Sequence, residues 1–282
     1  MKLRFWGVRG SIPSPGPRTA RYGGNTTCIE VRSDDGGLLI LDAGTGLFAL
    51  ARHLEGQGPV DASIFITHSH WDHIHGLPFF TPLFGKGNRV CLLGARDQAT
   101  GAGIEHVMAV QLQSSYFPVD EAQMGADISY RTLAIGQPIV VGDAVVSNVV
   151  TNHPVTNLGY RIDCHGKSLF FTGDHEPWPD PQGEQQRRMD ALMQGVDALI
   201  VDCSYTREEY ASRRGWGHGT FDDAFAMALR VGARALYCTH HEPARGDDAL
   251  EAAFADAMLR HAGQLGDLQV HLAFEGLQVN LD

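Results

Sequence analysis

Paired cysteines are missing from this 282-residue chain: the five it has, at 28, 91, 164, 203 and 238, are odd in number, scattered and never two residues apart. That excludes a disulfide framework and a zinc ribbon, and makes a reducing cytoplasm the expected setting. Runs of lysine and arginine are missing too, and a formal net charge of −11 excludes the basic footprint of a general nucleic-acid binder. An anionic substrate would have to be drawn by a bound cation. No apolar stretch reaches the ~18 residues of a membrane span. The opening Met1-Lys2-Leu3-Arg4-Phe5-Trp6-Gly7 breaks at glycine before the apolar region of a signal peptide could form, so a soluble, untargeted protein is expected. Low-complexity tracts and solenoid-length repeats are absent.

What remains is an ordinary globular composition, 43% hydrophobic and 9% aromatic, enough to bury a full core. We expect one domain over 1–282, built of two sheet-plus-helix halves, about 1–135 and 136–282. In the first half, β-like runs at 3–6, 28–32, 38–42 and 62–67 are bounded by Gly, Asp or Asn. A helix is expected over 44–53, with Leu47, Phe48, Leu50 and Ala51 on its apolar face, and another over 95–113, where Ile104, Val107, Met108 and Leu112 recur at helical spacing. This 95–118 insert reads as a packing helix or as a wall above a site. The Gly/Pro/Arg-rich stretch from Gly7 to Asn25 is too long for a tight turn, and is expected to cover something or contact a partner. Strands return at 139–141, 144–148, 159–163 and 168–172, then at 198–202 and 235–239 after helices at 185–194 and 221–231, the latter capped by Thr220. Asp247 is expected to cap a last helix to Arg260, and 270–281 to close as a hairpin around Glu275-Gly276. Two such halves face to face make a four-layer αββα sandwich.

The chemistry is concentrated in His68-Ser69-His70-Trp71-Asp72-His73, three imidazoles and a carboxylate in six residues just after an apolar run. On a turn leaving a strand, His68 and His70 can point one way while Asp72 and His73 point another, which suits two adjacent metal ions. Imidazole with carboxylate favours zinc, manganese or iron(II) over calcium or magnesium, and an aspartate beside metal-held water can steer that water as a nucleophile. Further donors stand just beyond expected strands: His153, Asp174 in Phe170-Phe171-Thr172-Gly173-Asp174, and His240 in Leu236-Tyr237-Cys238-Thr239-His240. Together they supply seven donors, enough for two ions with Asp174 between them.

That ordered set resembles the metallo-β-lactamase-fold hydrolases, whose pattern H-x-H-x-D-H, then H, D and H, is matched by His68, His70, Asp72, His73, His153, Asp174 and His240. The resemblance covers nearly the whole chain and implies the metallo-β-lactamase fold. It also implies that His68, His70 and His153 hold one divalent ion, Asp72, His73 and His240 the other, and that Asp174 bridges them with a hydroxide. Zinc is the first choice of metal, with manganese or iron(II) as alternatives. Asp42, in Asp42-Ala43-Gly44-Thr45-Gly46, is similar to the family's first motif, where the aspartate holds the ligand loop without touching metal. His75, His175 and His241 exceed what the pattern needs and are expected not to be ligands.

Other residues suggest a branch. Phe5-Trp6-Gly7-Val8-Arg9-Gly10-Ser11-Ile12-Pro13 and Asn25-Thr26-Thr27 resemble the N-terminal region of the ribonuclease Z-like and cyclic phosphodiesterases, and Gly217-His218-Gly219-Thr220 is similar to their phosphate-contacting element. The resemblance implies a catalytic His218 at a helix N-terminus, beside free backbone N–H groups, binding a phosphate oxygen or protonating a leaving oxygen. Asp202-Cys203-Ser204-Tyr205 departs from the His-Glu-Ala-Thr of ribonuclease Z, and Asp202 is expected to stand in as the partner of His218. Without a basic arm, structured RNA is disfavoured, and the expected substrate is a small anionic phosphodiester such as a cyclic nucleotide or cyclic sugar phosphate; Tyr116, Phe117 and Trp216 are expected either to stack on its base or sugar or to pack in the core. Dimerisation is implied by the resemblance. Two alternatives are a lactonase or other ester hydrolase on the same dinuclear site, and a non-hydrolytic di-iron sensor or binding protein. Retention of His70, where such sensors place glutamate, favours hydrolysis.

Overall fold

Leu38-Leu39-Ile40-Leu41 has no polar residue to alternate with, and all four side chains are buried because the strand they form is packed on both faces. Leu39 and Leu41 join Phe65, Tyr160, Phe171 and Ile200 in a core between two sheets. Leu38 and Ile40 point the other way, against Leu47, Leu50 and Ile64 beneath helices. In the second half Phe171 faces inward, while Phe170 packs outward with Leu199, Met189, Met193 and Phe225. Three apolar cores separate four layers, so the architecture is the αββα sandwich.

The computed structural model describes residues 1–281. In chain order the first half contains β1 (Lys2–Gly7), β2 (Cys28–Arg32), β3 (Leu38–Leu41), α1 (Gly46–Leu54), β4 (Asp61–Ile66), α2 (Trp71–Ile74), β5 (Arg89–Gly94), α3 (Ile104–Gln111) and β6 (Asp127–Thr132). The second contains β7 (Ile139–Val141), β8 (Ala144–Val150), β9 (Leu158–Cys164), β10 (Lys167–Phe171), α4 (Glu184–Met193), β11 (Ala198–Asp202), α5 (Arg207–Tyr210), α6 (Phe221–Val231), β12 (Ala235–Thr239), α7 (Asp247–Arg260), β13 (Gln269–Leu272) and β14 (Gln278–Asn280). The sheets have the orders β14-β1-β2-β3-β4-β5-β6 and β13-β12-β11-β10-β9-β8-β7. In each, antiparallel strands give way to parallel ones, from β3 to β6 and from β10 to β13. Parallel neighbours end side by side, and that places the carboxyl ends of β3 and β4 and of β10, β11 and β12 along one rim. No helix among the described residues is long and apolar enough to cross a membrane.

Four local expectations are corrected. Residues 270–281 form no hairpin: β13 runs parallel to β12, while β14 crosses over to pair with β1. The expected 95–113 helix is only α3, because the Asp97 carboxylate accepts Thr100 N at 2.6 Å and Gly101 sits at φ +73°, so 95–103 is a turn. Phe48 is exposed while Leu47, Leu50 and Ala51 are buried. Asp247 does not cap α7; Gly246 holds the cap position, and the Asp247 carboxylate instead accepts Arg21 N at 2.8 Å and lies 3.4 Å from the buried Arg9 guanidinium.

The sheets are also joined by a polar contact. Tyr160 on β9 is fully buried and its hydroxyl donates to the carbonyl of Ile66, at the end of β4, at 2.7 Å. Tyr160→Phe is expected to lower stability by about 1 kcal/mol in urea denaturation; an unchanged midpoint would show that this bond does not tie the sheets.

Candidate active site

Every cluster residue follows a strand that ends on the shared rim. Asp42 follows β3, His68 follows β4, His153 follows β8, Asp174 follows β10, Asp202 closes β11 and His240 follows β12. At three of these ends the chain turns through a left-handed residue: Asp42 at φ 60°, Gly173 at φ 59° and His240 at φ 58°. Two of them are not glycine, and such a conformation persists only where surrounding bonds hold it. The 7–25 loop supplies part of that hold. Ser11 N donates to Asp72 Oδ2 at 2.7 Å, and a Cβ on Gly10 would lie 2.3 Å from the His240 ring.

His68 and His70 lie on the extended segment after β4, with His70 at the N-cap of α2. Asp72 and His73 lie in that helix, with the His73 ring 4.3 Å from that of His68 between centroids. The seven expected donors form two groups sharing one carboxylate, His68, His70, His153 and Asp174, and Asp72, His73, His240 and Asp174, with donor atoms within 4.8 Å of one another, and Asp174, Asp202, His218 and His240 meet the same distance. Contacts within the second are short: His73 Nε2 and His240 Nε2 lie 3.2 and 3.1 Å from Asp72 Oδ2, and 3.2 and 3.1 Å from Asp174 Oδ1. The other Asp174 oxygen, Oδ2, lies 3.6 Å from His68 Nε2 and 3.9 Å from His153 Nε2. His153 Nε2 is 3.2 Å from His70 Nδ1. Donors ~2.0–2.1 Å from a common tetrahedral ion stand ~3.3–3.4 Å apart, so these separations match the edges of coordination polyhedra. His68 Nε2, His73 Nε2 and Asp174 Oδ1 are moreover buried without a hydrogen bond. Unmatched polar atoms at that depth are costly unless a cation satisfies them, and the set fits divalent metal.

Two carboxylates outside this set aim the imidazoles, in the same way in each half. Asp42 accepts His73 Nδ1–H directly at 2.7 Å and the Thr67 hydroxyl at 2.9 Å; the Thr67 oxygen lies 3.1 Å from His68 Nδ1. Asp202 faces His218 Nδ1 directly at 2.8 Å and accepts the Ser204 hydroxyl at 2.7 Å; the Ser204 oxygen lies 3.0 Å from His240 Nδ1. A hydroxyl that donates to a carboxylate accepts at its lone pair, so Nδ1 of His68 and of His240 carries the proton and Nε2 is left bare toward the cluster. His153 is fixed similarly, its Nδ1 3.0 Å from the carbonyl of Gly217. Thr67 and Ser204 were not singled out in the sequence; the signal was a hydroxyl beside His68 and another two residues after Asp202.

Charge follows the same division. Burial pushes the His68 pKa well down, and lowers His153 and His70. At His73 burial acts in the same direction, but Asp72, Asp174 and Asp42 outweigh it and the pKa rises well above its usual value. His218 is likewise opposed by burial, yet Asp202 and Asp174 raise it to about 9. Its Nε2 makes no hydrogen bond among the described residues. The helix terminus beside it is more closed than expected: Thr220 and Asp223 form a reciprocal capping box that takes the backbone N–H groups of Asp223 and of Thr220 itself. His241 turns away toward the Ala273 carbonyl at 2.8 Å, with burial lowering its pKa to about 3. His175, lowered by burial to about 4, takes the Asn152 N–H at 3.2 Å. His75 belongs to neither donor group.

His70 is the exposed donor, so the cluster opens on its side. Beside it a groove of about 440 Å³ is lined by Trp71, Phe79, Tyr116 and Phe117, with Trp71 and Tyr116 each 74% exposed. The 95–118 insert thus forms an aromatic flank as well as packing α3 on its sheet. Trp216 is also exposed. A cavity of about 220 Å³ beside His68 carries Arg96, and one of about 690 Å³ beside His153 carries Arg214 and Trp178.

Because Asp42 and Ser204 act by orienting donors, Asp42→Ala and Ser204→Ala should each weaken divalent-metal affinity about 10- to 100-fold in competition with a chromophoric chelator. Unchanged affinity in both would refute the aiming role.

A family model for the beta-lactamase superfamily domain matches residues 38–241. The ribonuclease Z of Kineococcus radiotolerans is 26% identical, over 86% of this chain and 85% of that protein. Human tRNase Z, short form, superposes over 100% of both chains with a TM-score of 0.70 at 17% identity. A diphosphatase from the PhnP family superposes over 100% of this chain and 98% of its own with a TM-score of 0.67 at 18% identity. At those identities the two structures share the fold. The matched segment begins with β3 and ends just past His240, spanning all seven expected donors, and this chain belongs to the beta-lactamase superfamily.

Proposed function

We propose that the protein is a metal-dependent hydrolase that cleaves a small phosphodiester. The observation that carries this reading is the placement of His218, pinned through Nδ1 to Asp202 at 2.8 Å beside the two donor groups, with Nε2 uncommitted. In this reading His68, His70 and His153 hold one ion, Asp72, His73 and His240 the other, and Asp174 is shared. Two divalent ions, zinc in the first place, supply Lewis acidity when bound, activating water and neutralising charge on phosphoryl oxygens. The protein's own groups do the rest. Asp72, fixed by Ser11 N, offers an anionic oxygen at the water-binding face. His218, gripped through Nδ1 by Asp202, is placed to present an Nε2–H to the leaving oxygen, and Asp202 fixes the ring so that the proton moves from that atom alone. The cluster sits at the rim, where His70 admits a substrate while the buried donors exclude bulk water.

Substrate size follows from charge. Arg96 lines the cavity beside His68 and Arg214 the one beside His153, a provision suited to one or two phosphates, whereas a net charge of −11 opposes a long polyanion. The aromatic groove offers Trp71 and Tyr116 as faces for a base or other planar group. Cyclic nucleotides and cyclic sugar phosphates fit these conditions. Structured RNA is the competing substrate, and the ribonuclease Z relatives favour it. A homodimer in a reducing cytoplasm, with all five cysteines free, completes the reading.

Metal-defined protein should hydrolyse bis(p-nitrophenyl) phosphate and at least one cyclic nucleotide or cyclic sugar phosphate with higher kcat/KM than a tRNA precursor or a lactone. Asp72→Ala should abolish turnover, and His218→Ala should lower kcat about 10²- to 10⁴-fold with metal content retained. Faster cleavage of precursor tRNA would reassign the substrate to RNA, and faster lactone hydrolysis would reassign the reaction. Iron with a visible charge-transfer band and no hydrolysis would make the protein a sensor.

A further inference from the structure

His153 and His218 reach the rim on different loops, and the loop that carries His218 is loose by its own sequence. Between α5 and α6 the chain passes through Gly215 at φ +84° and Gly217 at φ +88°, and Ala211, Ser212, Arg214, Gly215 and Trp216 are exposed. Glycines in such a turn keep their shape only while bonds fix them. Gly217 itself is buried and tightly placed: a Cβ there would lie 2.2 Å from His153 Nδ1. Its carbonyl is the partner of His153 Nδ1 at 3.0 Å, and the next residue is His218. The position of this one glycine therefore bears both on a metal donor and on the histidine beside the donor groups.

The hold comes from Glu176, a buried residue two positions after Asp174. Its Oε2 accepts Gly217 N at 2.9 Å and Gly215 N at 3.0 Å, and its Oε1 accepts Gly215 N and the Tyr210 hydroxyl, each at 2.8 Å. All of these donors are neutral, and bonds of this kind to an ionised acceptor are stronger than those between neutral groups. The backbone of Glu176 is tied to the other loop. Its N–H donates to the Asn152 carbonyl at 2.9 Å, and the Asn152 side-chain amide donates to the Pro177 carbonyl at 3.1 Å. Asn152 immediately precedes His153, so the contacts close a circuit. It runs from Asn152 to Glu176 through backbone, from Glu176 to Gly217 through the carboxylate, and from Gly217 back to His153 through the carbonyl.

We propose that Glu176 is a positioning residue of the active site: by clamping the N–H groups of Gly215 and Gly217 it sets the carbonyl that aims His153 and the approach of the chain to His218, without touching either ring. Asp42 and Asp202 aim imidazoles directly or through a hydroxyl; Glu176 does so through backbone. The inference rests on the proposed function, in which His153 serves the ion held with His68 and His70 and not the other. Releasing the clamp then loosens one ion of the two and displaces His218, a selectivity that a general loss of stability does not produce.

Full-length protein stripped of metal is titrated with zinc against a chromophoric chelator, and the Tm is measured, in wild type, Glu176→Ala, Glu176→Gln and Tyr210→Phe. Glu176→Ala should weaken one of the two zinc equivalents about tenfold or more and leave the other near its wild-type affinity. Glu176→Gln can turn its amide nitrogen to the Tyr210 oxygen while its carbonyl still accepts Gly217 N, so it should restore most of the lost affinity. Tyr210→Phe removes a bond from the same carboxylate but leaves both glycines clamped; its Tm should fall with both zinc affinities unchanged. In the zinc-loaded proteins, kcat for bis(p-nitrophenyl) phosphate should fall about tenfold or more in Glu176→Ala, with KM little altered. Unchanged affinity for both equivalents in folded Glu176→Ala, an equal loss at both, or a Glu176→Gln no better than Glu176→Ala would each overturn the role. Should the alanine variant not fold, Glu176→Asp, whose carboxylate is drawn back by one methylene, is judged by the same criteria. A wild type that binds two zinc ions and cleaves no phosphodiester would refute the proposed reaction, while the zinc titrations would still decide the role of Glu176.

Discussion

Imidazole nitrogens and carboxylate oxygens packed 3.1–3.6 Å apart in a buried space, several without a hydrogen bond, are tolerable only around positive charge. The rest of the fold keeps that arrangement from relaxing. Parallel strands in both sheets end on one rim, so donors from separate strands arrive together without a long loop to blur their positions. Left-handed turns at Asp42, Gly173 and His240 bend the chain inward, and Gly10 leaves room for the His240 ring. Rotating His68, His73, His153 or His240 away would abandon a bond on the outer side of its ring as well as a place in the cluster.

The two halves solve the aiming problem alike. A carboxylate at a strand end, Asp42 or Asp202, grips one imidazole directly and a second through a hydroxyl, Thr67 or Ser204. The difference lies in what is gripped. Asp42 serves His73 and His68, both within the donor groups, whereas Asp202 serves His240 inside and His218 beside them. The second half thus turns one arm of the same device on an imidazole beside the metal-donor groups, the residue that the proposed function makes the proton carrier.

Sequence was a good guide where one pattern decides one outcome. Uniformly apolar runs such as 38–41 and 198–201 became strands buried on both faces, and the dense His/Asp stretch from His68 to His73 lies at the rim with His153, Asp174 and His240. It misled where a local pattern competed with distant partners. The 270–281 stretch looks like a hairpin around a turn, but β12 and β1 each offer an unpaired edge, and the two strands go to different sheets. Helical spacing from Ile104 onward was extended backward across the Asp97 turn. β6, with alternate side chains half-exposed at a sheet edge, gave too weak an apolar signal to be singled out. Thr67 and Ser204 stayed hidden because a hydroxyl acquires its role only from what the fold places on either side of it.

Anomalous diffraction from crystals grown with zinc tests the central claim most directly. The account predicts two ions on the rim, one ~2.0–2.2 Å from His68 Nε2, His153 Nε2 and a His70 nitrogen, the other at that distance from Asp72, His73 Nε2 and His240 Nε2, with Asp174 touching both. A single rim ion, or His73 Nε2 and His68 Nε2 left without metal at full zinc occupancy, would contradict it.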